Sequence, residues 1–189
     1  MKKFMTALAF GAAYLVPALA HAGPPPGWAV DAAKSSVVAV SKQMGVPVEG
    51  RFKRFSAQVS FDPARPTESK AQVEIDMDSF DLGAEDFNRE TLKKEWFDAA
   101  KYPKAGFVTS AIKAAGPGRY DAAGKLTIKG RTVDVVAPVT FKAEGNQNVF
   151  EGVLPIKRLQ FNIGEGEWKD TSTVADEVQI RFRIVATRK

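Results

Sequence analysis

The stretch Ala71-Gln72-Val73-Glu74-Ile75-Asp76-Met77-Asp78 alternates apolar and polar side chains at every step. Successive strand residues point to opposite sides of a sheet, so this segment reads as a β-strand with one dry face and one wet face. The same rhythm recurs on both sides of it. Phe55, Ala57, Val59 and Phe61 alternate with Ser56, Gln58 and Ser60. Val133, Val135, Ala137, Val139 and Phe141 form another apolar row, and Leu126 and Ile128 interleave with Lys125, Thr127 and Lys129. Val178, Ile180, Phe182 and Ile184 alternate with Gln179, Arg181 and Arg183. Val37–Ser41, Phe107–Lys113 and Val149–Ile156 add strand-like runs whose facing is less regular.

Turn residues separate these runs. Asp62-Pro63 through Pro66, Gly116-Pro117-Gly118, Ala123-Gly124, Lys129-Gly130 and Gly145-Asn146 fall where strands should end. About eight strands result. One segment departs from period two: Ala84 to Phe97 places Phe87, Leu92 and Trp96 at near-helical spacing among charged residues. Glu90 and Lys94 stand four apart in the favourable order. An amphipathic helix over this segment is predicted. The fold class is therefore all-β with one helix between strands. Eight amphipathic strands can curl into an antiparallel barrel, which hides both their edges and their apolar face, or stack as a two-sheet sandwich. Alternation alone fits either.

The beginning of the chain has another character. Lys2 and Lys3 precede an apolar run from Phe4 to Val16, and Ala20-His21-Ala22 has small residues at both positions of a cleavage site. Residues 1–22 are expected to be a cleaved signal peptide. Gly23-Pro24-Pro25-Pro26-Gly27 is a stiff leader over 23–27, and 28–189 is one domain. Cleavage after Ala22 would leave 167 of the 189 residues and remove His21, the one histidine in a chain without cysteine. Losing Lys2 and Lys3 would lower the formal charge from +5 to +3. The mature domain is expected to leave the cytoplasm, and no disulfide is available to stabilise the fold in an oxidising compartment.

This composition excludes much chemistry. Ser-His-Asp and Cys-His arrangements cannot be assembled without His or Cys. Ser110-Ala111-Ile112-Lys113 matches S-x-x-K by letter, but strand geometry sends Ser110 and Lys113 to opposite faces. Glu165 and Glu167 lie in a Gly-rich loop and read as solvated rather than as a glycosidase pair. Asp76, Asp78 and Asp81 lack the glycine that a calcium loop requires. No catalytic residue, metal or cofactor is expected. Arg51, Lys53 and Arg54 interleave with Phe52 and Phe55. Their plain reading is a solvated strand face; the sharper one is a positive rim for an anionic head group or a membrane surface. Export disfavours nucleic acid as a partner.

The ordered motifs of the domain are similar to those of the YceI-like family. Trp28-Ala29-Val30-Asp31, Gly50-Arg51-Phe52 with Phe55, and Val59-Ser60-Phe61-Asp62 open the resemblance. Trp96-Phe97-Asp98-Ala99-Ala100-Lys101-Tyr102-Pro103 and Gly124-Lys125-Leu126-Thr127-Ile128-Lys129-Gly130-Arg131-Thr132 continue it. Arg158, Phe161, Gly164 and Asp176-Glu177-Val178 complete it. The resemblance implies an eight-stranded antiparallel lipocalin-like barrel, periplasmic in Gram-negative bacteria. It also implies an elongated pocket for a polyisoprenoid or other long-chain amphiphile, quinone-like or fatty. Lys34 and Gln43 stand where many members carry His, which departs from any His contact those relatives make.

If the barrel is hollow, its inward rows are the ligand-binding candidates: Phe55, Val59 and Phe61 on one strand, and Val73 and Ile75 on the next. Leu126 and Ile128, Val139 and Phe141, and Phe182 and Ile184 extend the set around the ring, while Trp96, Phe97 and Phe161 line or cover the pocket from helix and loop. The rival is a filled barrel acting as an interaction protein, and the resemblance allows a cytochrome b561-type membrane protein as its partner and a homodimer as its assembly.

Overall fold

The structure, a computed structural model, describes residues 27–188. The signal-peptide reading and nearly all of the leader fall outside the described residues. Eleven strands follow in order. The first five are β1 (Gly27–Val30), β2 (Ser36–Gln43), β3 (Val46–Phe52), β4 (Phe55–Ser60) and β5 (Lys70–Asp76). A two-residue β6 (Phe80–Asp81) leads into the helix α1 (Glu85–Thr91). Five long strands complete the fold: β7 (Lys104–Gly116), β8 (Arg119–Ile128), β9 (Arg131–Glu144), β10 (Gln147–Lys157) and β11 (Glu177–Arg188).

Strand β1 pairs on one edge with β4 and on the other with β11. That double pairing closes β1-β4-β5-β7-β8-β9-β10-β11 into an eight-stranded antiparallel barrel. Closure removes the sheet edge and directs every second side chain inward. β2 lies along the same edge of β11, further from the chain ends, with Gln179–Arg183 paired to Val40–Ser36. Between β1 and β2 a single helical turn, Ala32–Lys34, breaks the strand, and the Asp31 carboxylate accepts from the Ala33 and Lys34 N–H groups. β3 and β4 part at Lys53-Arg54: β3 stays with β2 and takes β6 on its far edge, while β4 crosses to β1 and β5. This split widens one end of the barrel.

The other end is closed by aromatic side chains. Phe61 meets Tyr120 at 5.0 Å and Phe150 at 5.3 Å between ring centroids, and Phe141 meets Phe150 at 5.3 Å. The Trp28 indole N–H donates to the Phe61 carbonyl at 2.9 Å, anchoring the short β1 to this floor. Edge-to-face and tilted contacts of this kind suit the ring quadrupoles.

The helix is shorter than the spacing predicts. α1 ends at Thr91, and the chain then coils through turns in which Phe97 N–H donates to the Thr91 carbonyl and Ala99 N–H to Leu92. Asp98 sits in the left-handed region at φ 49°. The reason is geometric. Phe87 and Trp96 are nine residues apart, about two and a half helical turns, so a continuous helix would send them to opposite faces. Breaking the helix lets both approach the barrel interior. Glu90 accordingly pairs with Lys93 rather than Lys94.

At the wide end, loops are held by two buried cations. Arg158 is 1 % exposed and spends all five guanidinium N–H groups on backbone carbonyls. Nε donates to Ala175, Nη1 to Ile163 and Gly164, and Nη2 to Trp168 and Val174. Burial pulls its pKa below the ordinary value, while Asp176 opposes that shift. A side chain at Gly164 would meet Nη1 at 2.1 Å, which, with φ +78°, explains the glycine. Lys129, at a left-handed turn between β8 and β9, donates to the Lys94 and Asn162 carbonyls and to Glu165 at 2.9 Å. One residue thereby ties the β8–β9 turn to two separate loops.

Replacing Arg158 with methionine leaves five carbonyls without their donor and is expected to lower unfolding free energy by about 3–5 kcal/mol in urea titration. Arg158→Lys, with fewer donors, should recover less than half of that loss. Several surface carboxylates are held below their usual range: Asp76 chiefly by Lys104, Asp81 chiefly by Lys53, and Glu151 chiefly by Arg183. Groups with depressed folded-state pKa values stabilise the fold above their unfolded values, and that contribution is lost as pH falls through the folded ones. Stability should therefore decline as pH drops below about 4, a trend thermal melts across an acidic series would reveal.

Candidate functional site: an apolar cavity

The inward rows of the barrel do not meet across its axis. They enclose a cavity of about 820 Å³, in the upper part of the range of roughly 300–1,000 Å³ usual for small-molecule sites. Val73 and Ile75 on β5 and Val178, Ile180 and Phe182 on β11 line it and remain partly accessible, although they face inward. Ile75, Val178, Ile180 and Phe182 also pack against the buried core cluster, so wall side chains that touch their neighbours still leave the axis unfilled. From Val178 to Ile184 the lining follows β11 for six residues, about 20 Å along the strand. Allowing for barrel tilt, the cavity is about 15 Å deep.

Most of the predicted interior residues come together here. Val59 and Phe61 of the β4 segment, Val73 and Ile75, Leu126 and Ile128, Val139, Phe182 and Ile184 line the cavity, and Trp96 and Phe97 close in from the loop after α1. Three do not line it. Phe141 packs within the aromatic floor against Phe61 and Phe150. Phe161 is fully buried in the core, on the helical turn that starts at Arg158. Phe55 lies at the break between β3 and β4, beside a shallow polar hollow bordered by Arg54, Asp76 and Lys104.

The basic residues considered for a head group are placed elsewhere. None of Arg51, Lys53 and Arg54 lines the cavity. Lys53 pairs with Asp81 at 2.6 Å, and Arg54 pairs with Asp78 at 2.7 Å and Asp76 at 3.3 Å. Arg51 is exposed on β3, in register with Val38 and Asp81. The ion pairs tie the β3–β4 break to the end of β5, the turn after it and β6, a structural use of the charge.

The mouth is built from residues outside the predicted pocket set, although the sequence places Phe87 on the helix and Gln43 where many YceI-like proteins carry His. Ser41 and Gln43 come from the end of β2, Asp86, Phe87 and Glu90 from α1, and Trp168 from the β10–β11 connection. Phe87 is 65 % exposed, although periodicity reads it as a core position. The Trp168 ring lies 5.3 Å from that of Trp96, tilted by 50°. The buried Trp96 indole N–H has no acceptor among the described residues. The Arg158 guanidinium, the cation among the lining residues, is saturated by carbonyls. Such an arrangement can exclude water from a long apolar chain and hold its polar end at the rim.

Comparison with known proteins places this geometry in a group. BcnA of Burkholderia cenocepacia superposes with a TM-score of 0.83 and 59 % identity, covering 84 % of this chain and all of that one. A YceI protein of Campylobacter jejuni gives 0.70 at 25 % identity over 75 % of this chain and 85 % of the other. A polyisoprenoid-binding domain from Saccharophagus degradans shares the fold, with a TM-score of 0.70 at 16 % identity over 87 % of this chain and 99 % of that domain. In sequence, a UPF0312 protein of Pseudomonas savastanoi is 37 % identical over 98 residues, 52 % of this chain, and the chain spans about half (51 %) of that relative's length. The YceI-like domain profile matches residues 28–186, and the chain belongs to the YceI-like family.

Proposed function

We propose that this protein is a non-enzymatic carrier that shelters a long-chain apolar ligand, a polyisoprenoid or similar amphiphile, inside its barrel. The observation that carries the reading is the unpacked inner surface: apolar side chains that the fold could have brought together are instead left facing an open cavity. The name of the Saccharophagus degradans neighbour, a polyisoprenoid-binding domain, accords with it. Each methylene removed from water contributes roughly 0.8 kcal/mol, so ten give about 8 kcal/mol gross, near micromolar affinity before ordering costs. No polar contact along the chain is needed. Selectivity for chain identity should accordingly be weak, since apolar burial has no direction.

The reading includes export. The mature protein would work in the periplasm and meet its ligand at a membrane or on a membrane protein. The rival, a filled barrel acting only through its surface, is disfavoured by the cavity of about 820 Å³ that the inward rows enclose. Catalysis is disfavoured by the absence of His and Cys from residues 23–189.

Native mass spectrometry of protein purified without detergent is expected to show a co-purified lipid on a chain beginning at Gly23. A ligand-free protein that also ignores added isoprenoid alcohols would contradict the carrier reading, and a chain beginning at Met1 would contradict export. Ala57, small and on the cavity wall, offers a second test. Ala57→Trp should fill space rather than overpack it, so unfolding free energy should change by less than about 1.5 kcal/mol. Uptake of a long-chain alcohol should meanwhile fall about tenfold.

A further inference from the structure

Three large apolar side chains at the open end of the barrel stand out in solvent: Met44, Val46 and Phe87 are 78 %, 63 % and 65 % exposed. Phe87 is on α1 and also lines the cavity. Val46 stands opposite Gln43 across the β2–β3 ladder, as Val48 stands opposite Ser41. Gln43, Val48 and Ser41 line the cavity. Strand period two puts Val46 on the same face as Val48, one step further along and outside the lining. The apolar wall therefore continues past the rim and into water. Met44 opens the turn that joins the two strands, at φ 49°, followed by Gly45 at 81°. Such a hairpin turn favours Asn or Gly at its first position, because other side chains are strained in the left-handed region. A methionine there is disfavoured both by its backbone and by its exposure, so a role beyond the local fold accounts for it. The tip is held in place: the Met44 N–H donates to the Thr173 carbonyl at 2.8 Å, and the Ala175 N–H to the Lys42 carbonyl at 2.9 Å.

We propose that this end of the barrel docks directly on a phospholipid bilayer, with Met44, Val46 and Phe87 inserted among the lipid tails, so that the ligand passes between cavity and membrane without crossing water. The proposal rests on the carrier reading and names the partner of its mouth. Area favours a bilayer over a protein. The three side chains offer on the order of 300 Å², the size of patch that a monomer keeps for use. A stable contact with a second copy or another protein needs about 800 Å² from each side. A bilayer needs no matching surface, because apolar side chains enter its interfacial layer one by one. The route agrees with this, since the aromatic floor shuts the opposite end. Charge on α1 plays no part: Arg89 pairs with Glu85 and Asp86, and Lys93 with Glu90. Docking of this kind needs no anionic lipid and survives high salt.

Flotation of detergent-free protein with phosphatidylcholine vesicles, alone or with about 30 % phosphatidylglycerol, tests this. Binding to both is expected, changing by less than about twofold between low salt and about 1 M salt. Met44→Asn with Val46→Thr, at positions that do not line the cavity, should weaken vesicle binding about tenfold. Asparagine suits the turn, so the thermal midpoint of this variant should hold or rise. Its uptake of farnesol dispersed in water, followed by tryptophan fluorescence, should stay within about twofold of the unaltered chain, while transfer of farnesol from vesicles should slow about tenfold. No vesicle binding by the unaltered chain would overturn the proposal, as would binding confined to the anionic vesicles or binding that the double variant keeps in full. The lipid and salt series use the unaltered chain and do not depend on the variant folding. Vesicle binding without any farnesol uptake would uphold the docking and sink the carrier reading, so the two fail separately.

Discussion

The hydrogen bonds that the short strand β1 makes on both of its edges hold the whole arrangement together. Pairing Trp28 with Val59 on one side and with Arg188 on the other turns an open sheet into a ring. Once the ring is closed, the backbone ladder supports the wall, and the interior need not be filled to keep it standing. The aromatic floor fastens the same region, since Trp28 is tied to Phe61, and Phe61 to Tyr120 and Phe150. An all-β domain without a disulfide thus gains rigidity at one end and opens at the other.

Leaving the axis open is costly. The fold tolerates it because wall residues bury their outer contacts within the ladder and because buried cations stitch the wide end. Arg158 and Lys129 do with hydrogen bonds to carbonyls what a packed core would otherwise do. A long apolar ligand would recover part of the forgone contact, which makes occupancy and stability two faces of one equilibrium.

Much of the wall was legible in sequence. The rows Ala71-Val73-Ile75 and Val178-Ile180-Phe182-Ile184 declare their facing because strand period is two, and the structure keeps that facing. The hollow was not legible: Val59 or Ile75 has the same pattern whether it meets a partner across the axis or an open space. The helix was half legible. Spacing marked α1, but the need to aim both Phe87 and Trp96 inward, which a straight helix cannot meet, becomes visible only in three dimensions. The mouth was hidden because Gln43, Asp86 and Trp168 come from distant segments with no shared pattern. Arg51, Lys53 and Arg54 looked like a binding patch because Asp76, Asp78 and Asp81, which neutralise two of them, are remote in the chain.

The central claim is that the barrel axis is open, greasy space occupied by a chain-like guest. Crystallography of protein purified without detergent tests this most directly. The account predicts continuous, chain-like electron density running from the aromatic floor past Val73 and Phe182 to the rim at Gln43 and Phe87. Side chains from opposing strands in van der Waals contact along that line, with no density between them, would contradict it.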